Sequence, residues 1–90
     1  MISAPAHAAI LRKVAAAAVN DARAAWKKAH RSPTESRVRA AYRACVLAAR
    51  MLRKAAAVTP GEAGAMLAEA VKIDITAGML KDQLVRIIEG

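Results

Sequence analysis

The stretch SPTESRVRAAYRACVLAARMLRKAAAV, residues 32–58, decides the fold. Its opening, Ser32-Pro33-Thr34-Glu35, is typical of a helix start: serine can cap, proline suits the first helical position, and glutamate can reach back to the cap. Apolar residues then recur at steps of three and four, which is the spacing of one helical face. These residues are Val38, Ala41, Tyr42, Cys45, Ala48, Ala49, Leu52 and Ala56. The pattern predicts a helix over residues 33–58.

A first helix is predicted immediately upstream, over residues 4–31. Ser3-Ala4-Pro5 supplies start signals of the same kind. The apolar seam of this helix is almost entirely alanine and consists of Leu11, Ala15, Ala18, Ala22, Ala25 and Ala29. Alanine side chains let two helix backbones approach closely, near the lower end of the usual ~8–10 Å. Because the connection around His30-Arg31-Ser32 is short, we expect the two helices to pair antiparallel.

The C-terminal third predicts two shorter helices. Thr59-Pro60-Gly61-Glu62 repeats the capping pattern, which places a third helix over residues 60–72. Residues 72–76 are less helical in character and predict a turn or a short extended piece, followed by a last helix over residues 77–89. The apolar face of that helix is formed by Leu80, Leu84, Ile87 and Ile88. We expect these four side chains to be buried in the bundle or, as the alternative, to form a homodimer interface.

Together these segments predict an all-α fold, in which the two shorter helices pack on one face of a long antiparallel helical hairpin. A chain of 90 residues has the usual size of one domain. The lone Cys45 cannot form an internal disulfide, so packing must hold the domain together, and a reducing cytoplasm fits. The hairpin face that the short helices should cover presents Ile10, Val14, Ala17, Ala44, Leu47 and Met51.

Charge is distributed unevenly along the chain. The net charge is +8, but residues 1–54 carry 12 Lys and Arg against two acids, whereas residues 55–90 carry three against five. On helical wheels of an antiparallel hairpin, the basic residues of both helices fall on the same side. We therefore predict one continuous basic face that binds a polyanion. The expected contact residues are Arg12, Arg23, Lys27, Arg39, Arg43, Arg50, Arg53 and Lys54.

Nucleic acid, either DNA or RNA, is the partner that this face predicts. The forked guanidinium of arginine suits phosphate, so we expect backbone contacts with little sequence specificity. The chain has one tryptophan, one tyrosine and no phenylalanine, too few for base-stacking platforms. Two alternatives stay open. One is a solvated cationic surface kept for solubility; the other is a small helical adaptor or inhibitor, of a kind that phages and mobile elements encode, docking on an acidic or apolar protein surface.

Catalysis, cofactors and metals are not expected. His7 and His30 lie far apart, and neither has a Cys or His at i+3 or i+4 that could share a metal. Cys45 falls on the apolar seam, where a buried, inert thiol is expected. No uncharged apolar run reaches the roughly 18 residues needed to span a bilayer, so we expect a cytoplasmic protein with no membrane span.

Overall fold

The computed structural model of the protein describes residues 4–90, and three α-helices account for most of that range. α1 spans Ala4–Arg31, α2 spans Glu35–Ala57 and α3 spans Ala63–Glu89. No strand occurs in the described part of the chain, which confirms the all-α class. The residue proposed to cap the first helix, Ser3, lies outside the described residues.

The first two helices form the predicted hairpin, but the second helix begins two residues later than predicted. Residues 32–34 connect α1 to α2. Thr34, rather than Ser32, is the N-cap of α2: its Oγ1 accepts a hydrogen bond from the backbone N–H of Arg37 at 3.2 Å. Thr34 has the extended backbone of a capping residue, with φ −84° and ψ 158°. The threonine hydroxyl therefore satisfies one of the free N–H groups at the start of α2.

Alanine lines the contact between α1 and α2, as the sequence predicts. Ala15, Ala22 and Ala29 of α1 are buried, and Ala41 and Ala48 of α2 have no exposed surface. Because these side chains are small, the two helices can approach closely while burying little area per residue. The hairpin is therefore sensitive to any added volume along this seam.

The C-terminal third differs from the prediction, because the two shorter helices are one. α3 is a continuous helix of 27 residues, and the turn expected over residues 72–76 is helical. Ile73 packs against the core, and Ala77 in the next turn is buried. The Thr76 hydroxyl donates a hydrogen bond to the backbone carbonyl of Lys72 at 3.3 Å. The helix propensities of Ile and Thr are only about a few tenths of a kcal/mol poorer than that of leucine, and burial of Ile73 offsets that deficit.

The start of α3 also departs from the predicted capping pattern. Residues 59–62 form a turn, in which the backbone N–H of Glu62 donates to the carbonyl of Thr59 at 3.0 Å. Glu62 occupies the N-cap position but makes no side-chain capping bond. The hydroxyl of Thr59 is buried and has no hydrogen-bond partner within the described range. α3 consequently begins at Ala63, three residues later than predicted.

α3 packs on the side of the hairpin opposite to the predicted one. It lies against α2, whereas no Cα atom of α1 comes within 8 Å of a Cα atom of α3 in the described chain. The apolar face expected beneath the C-terminal helices is left open: Ile10, Val14 and Leu47 are 47, 43 and 48% exposed. α3 instead covers the seam around Cys45, against which Ile73 packs. This side is favoured because it offers both an apolar floor and arginines that pair with the acids of α3.

Candidate nucleic-acid interface

The basic face predicted for the hairpin is divided by α3. On the α1 side, Nη1 of Arg12 lies 3.5 Å from Oε2 of Glu62, and Nη2 of Arg23 lies 3.3 Å from Oε1 of Glu69. Both carboxylates belong to α3 or to the turn that precedes it. The prediction of one continuous basic face is therefore wrong, because α3 occupies the middle of that surface.

Arg53 makes the corresponding contact on the α2 side. Its two terminal guanidinium nitrogens donate to the carboxylate of Asp74 on α3, Nη1 to Oδ1 at 3.5 Å and Nη2 to Oδ2. The hydrogen bond to Asp74 raises the pKa of Arg53 above its ordinary value. Arg12, Arg23 and Arg53 thus each lie beside a carboxylate of the C-terminal third, which lowers the net positive charge on that side of the hairpin.

Four of the predicted contact residues lie together on the exposed side of α2. They are Arg39, Arg43, Arg50 and Lys54, which we call the α2 basic stripe. At 100° per residue they fall within an arc of about 60°, and 15 residues of helix spread them over about 22 Å. The buried residues of α2 lie on the other side of the helix, so this arc points away from both α1 and α3.

The α2 basic stripe carries little compensating negative charge. Arg43, Arg50 and Lys54 are exposed, and none of the three forms an ion pair with another described residue. Arg39 is half-buried, with Nη2 3.6 Å from Oε2 of Glu35 one turn earlier. Exposed pairs at this spacing contribute only about 0.3–0.5 kcal/mol, so Glu35 is easily displaced from Arg39 by a phosphate.

Lys27, the remaining predicted contact residue, borders a groove between α1 and α3. The groove has a volume of about 400 Å³ and an apolar floor that includes Cys45 and Ile73. Trp26 also lines it, and the indole ring stacks on the ring of His30 with centroids 4.9 Å apart. Because His30 covers one face of the indole, Trp26 is poorly placed to stack on a base. Lys27 therefore lies apart from the α2 basic stripe.

The residues predicted for a partner interface divide between the core and the surface. Leu80 is only 4% exposed, and Leu84 and Ile87 pack against the core, so these three side chains stabilise the contact of α3 with α2. Ile88 is exposed. The apolar face formed by these residues is therefore mainly an internal one.

A second apolar row on α3 was missed by sequence reasoning. Leu67, Val71, Ile75, Met79 and Val85 are all exposed, and the first four are spaced four residues apart. We call these five residues the α3 outer stripe. The turn predicted over residues 72–76 interrupts this four-residue spacing. The stripe becomes visible in the sequence only when residues 63–89 are taken as one helix.

Cys45 has the inert surroundings that the sequence predicts. Its thiol is free and buried, and burial raises the pKa of the thiol, which disfavours the reactive thiolate. Within residues 4–90, no three His, Cys, Asp or Glu side chains cluster as metal ligands would. None of the described helices combines the length and apolar character required to cross a membrane.

Comparisons with known proteins give no relative for this chain. No protein-family model matches it, and neither a curated protein nor a solved structure does so. A functional assignment must therefore come from the exposed residues themselves, among which the α2 basic stripe places four cations on one side of one helix.

Proposed function

We propose that the protein binds the phosphate backbone of nucleic acid through the α2 basic stripe, without catalysis. The observation that carries this proposal is the position of Arg39, Arg43, Arg50 and Lys54 on one exposed side of the central helix. A helix of this width fits the major groove of duplex DNA, and cations along its outer side can reach the bordering phosphates.

The proposed contacts carry little sequence information. Arginine binds phosphate through its forked guanidinium, and such contacts fix position without reading bases. Val46 and Leu47 border this arc on either side between Arg43 and Arg50, and neither side chain can hydrogen-bond to a base edge. Affinity should therefore depend on backbone charge and salt more than on sequence.

A charge-reversal experiment tests this site. The double variant Arg43→Glu with Arg50→Glu removes two contacts, each worth about 1.5–3 kcal/mol for a hydrogen bond to a charged group. We expect its affinity for a duplex to fall by about 100-fold or more, with the helical circular dichroism unchanged.

The matched control is Lys13→Glu with Lys28→Glu. This pair lies on exposed positions of α1 and changes the net charge by the same amount. Its affinity should fall far less, by about tenfold or less, through the long-range field alone. Equal losses for the two double variants would show that the net charge, rather than the α2 basic stripe, governs binding.

A second candidate function is favoured by the uncovered face of the hairpin. Ile10, Val14 and Leu47 are exposed there, beside the half-buried Met51. Cations flank these residues: Lys13, Lys28, Arg37 and Lys54. A small helical adaptor that binds an acidic amphipathic helix would use such a surface, with apolar anchors in the middle and ion pairs at the rim.

The second candidate makes a different prediction. The variant Val14→Glu with Leu47→Glu should lose capture of such a partner, whereas Arg43→Glu with Arg50→Glu should keep it. The captured partner must contain an acidic amphipathic helix, and a synthetic peptide of that helix must reproduce the binding in calorimetry. Binding of that peptide by the Val14/Leu47 variant would exclude this face as the docking site.

A further inference from the structure

We infer that the groove between α1 and α3 binds a small amphipathic anion, a carboxylate that carries an apolar chain. α1 and α3 both pack on α2 but not on each other, since none of their Cα atoms lie within 8 Å in the described chain. The space between them is a groove of about 400 Å³, a volume within the range typical of ligand sites. We call it the α1–α3 groove, and its apolar lining includes Val19, Ala22, Trp26, Cys45 and Ile73.

The apolar lining of the α1–α3 groove comes from all three helices. Val19 and Ala22 belong to α1, Cys45 to α2 and Ile73 to α3. Trp26 is 40% exposed and Ile73 is only partly buried, so both side chains still contact water. An apolar chain in the groove would remove this surface from water, which is favourable.

Four charged residues border the α1–α3 groove, and three of them are cations. Arg23 and Lys27 belong to α1, whereas Glu69 and Lys72 belong to α3. Glu69, the only acid among these described residues, is paired with Arg23, whose Nη2 lies 3.3 Å from Oε1. Lys27 and Lys72 are exposed, and neither forms an ion pair with another described residue. The border of the groove therefore has an excess of two positive charges.

Lys27 and Lys72 lie on opposite walls at the same level of the groove. α1 and α3 each run antiparallel to α2, because the connections are short, and hence parallel to each other. Lys27 follows Arg23 by four residues and Lys72 follows Glu69 by three, so both lysines lie about one turn beyond the ion pair. A carboxylate between the two ammonium groups would relieve their repulsion while its apolar chain covers the groove floor. This charge complementarity selects an anion over a neutral or cationic ligand.

The inference goes beyond the proposed function and does not depend on it. The α1–α3 groove shares no residue with the α2 basic stripe. Loss of nucleic-acid binding would therefore leave the groove intact, and loss of the groove ligand would leave the stripe intact.

Titration of the full chain with octanoate tests the inference. Trp26 is the only tryptophan of the chain and lines the groove, so its fluorescence reports binding. Octanoate should bind with a dissociation constant of about 0.1–1 mM. The neutral octan-1-ol should bind at least about fivefold more weakly, because it gains no ion pair. Acetate, which lacks the chain, should not bind measurably at about 10 mM. Octanoate that binds no more tightly than octan-1-ol, or as weakly as acetate, would overturn the inference.

A double charge reversal assigns the binding to the groove. Lys27→Glu with Lys72→Glu should weaken octanoate binding by about tenfold or more and change octan-1-ol binding by less than about twofold. Lys28→Glu with Lys81→Glu is the matched control: it changes the net charge equally on the same two helices, at exposed positions that do not line the groove. The control should lose less than about threefold, through the long-range field alone. Equal losses for the two double variants, both with unchanged helical circular dichroism, would overturn the groove as the site.

Amide chemical shifts locate the ligand without any substitution. When isotope-labelled protein is titrated with octanoate, the largest shift changes should occur at groove residues such as Ala22 and Ile73. Two other exposed apolar surfaces compete for the same ligand, the uncovered hairpin face near Ile10 and the α3 outer stripe near Met79. The largest changes on either of these surfaces would overturn the inference.

Discussion

Arg23 on α1 and Glu69 on α3 form an ion pair across helices whose backbones do not meet. Nη2 of Arg23 lies 3.3 Å from Oε1 of Glu69, although no Cα atoms of α1 and α3 lie within 8 Å of each other in the described chain. Two further pairs, Arg12 with Glu62 and Arg53 with Asp74, tie the C-terminal third to the hairpin in the same way. Charge thus helps to choose the side on which α3 packs.

A double-mutant cycle on Arg23→Gln and Glu69→Gln should give a small coupling energy. Arg23 is exposed and Glu69 is half-buried, and surface pairs of this kind contribute about 0.2–1 kcal/mol. The coupling should fall in 0.5 M NaCl, where the Debye length shortens to about 4–5 Å and part of the attraction is screened. Urea unfolding of the four proteins at both salt concentrations measures the coupling energy. A coupling energy unchanged at high salt would contradict a screened surface pair.

Added volume on the alanine seam should destabilise the hairpin. Ala41 has no exposed surface, so Ala41→Leu should lower the free energy of unfolding by about 1–3 kcal/mol or more. Ala40→Leu, the matched control one residue away, is exposed and should change it by less than about 0.5 kcal/mol. Chemical denaturation compares the two variants. Equal effects would mean that α1 and α2 do not pack through this seam.

The cap of α2 can be assigned by two alanine substitutions. Thr34→Ala removes the hydroxyl that accepts the Arg37 N–H and should cost about 1 kcal/mol. Ser32→Ala should cost less than about 0.5 kcal/mol, since Ser32 does not cap the helix. The difference is read from the midpoints of thermal unfolding. A larger loss of stability for Ser32→Ala than for Thr34→Ala would show that Ser32, and not Thr34, caps the helix.

The thiol of Cys45 should react slowly in the native protein. Burial both shields the sulfur and raises its pKa, so little accessible thiolate exists at pH 8. Reaction with a thiol reagent such as DTNB should be about 100-fold slower than in 8 M urea, because it requires local opening. Cys45→Ala supplies the background rate. A native rate equal to the unfolded rate would mean that Cys45 is not buried.

Local signals predicted the hairpin well. The helical pattern is interrupted once in this region, around Pro33. The alanine periodicity before and after Pro33 identifies the residues through which α1 and α2 pack. The seam residues Ala15, Ala22, Ala41 and Ala48 are buried as predicted. Such patterns depend on neighbours within a few turns, which a sequence displays directly.

The placement of α3 could not be predicted in the same way. The hairpin has apolar residues on two sides, Cys45 on one and Leu47 on the other, and periodicity alone does not choose between them. The choice depends on contacts between residues far apart in the chain, such as Arg53 with Asp74. The turn predicted over residues 72–76 is in fact helical, so the prediction divided one helix into two and interrupted the spacing of the α3 outer stripe.

The most direct test of the proposed function is fluorescence anisotropy of a labelled duplex of about 20 base pairs, titrated with the protein at several salt concentrations. Four phosphate contacts from the α2 basic stripe predict tight binding at low salt and a slope near −3.6 for log K against log salt, at about −0.9 per contact. A protein that does not bind at low salt, or whose affinity is unchanged by salt, would contradict the proposal.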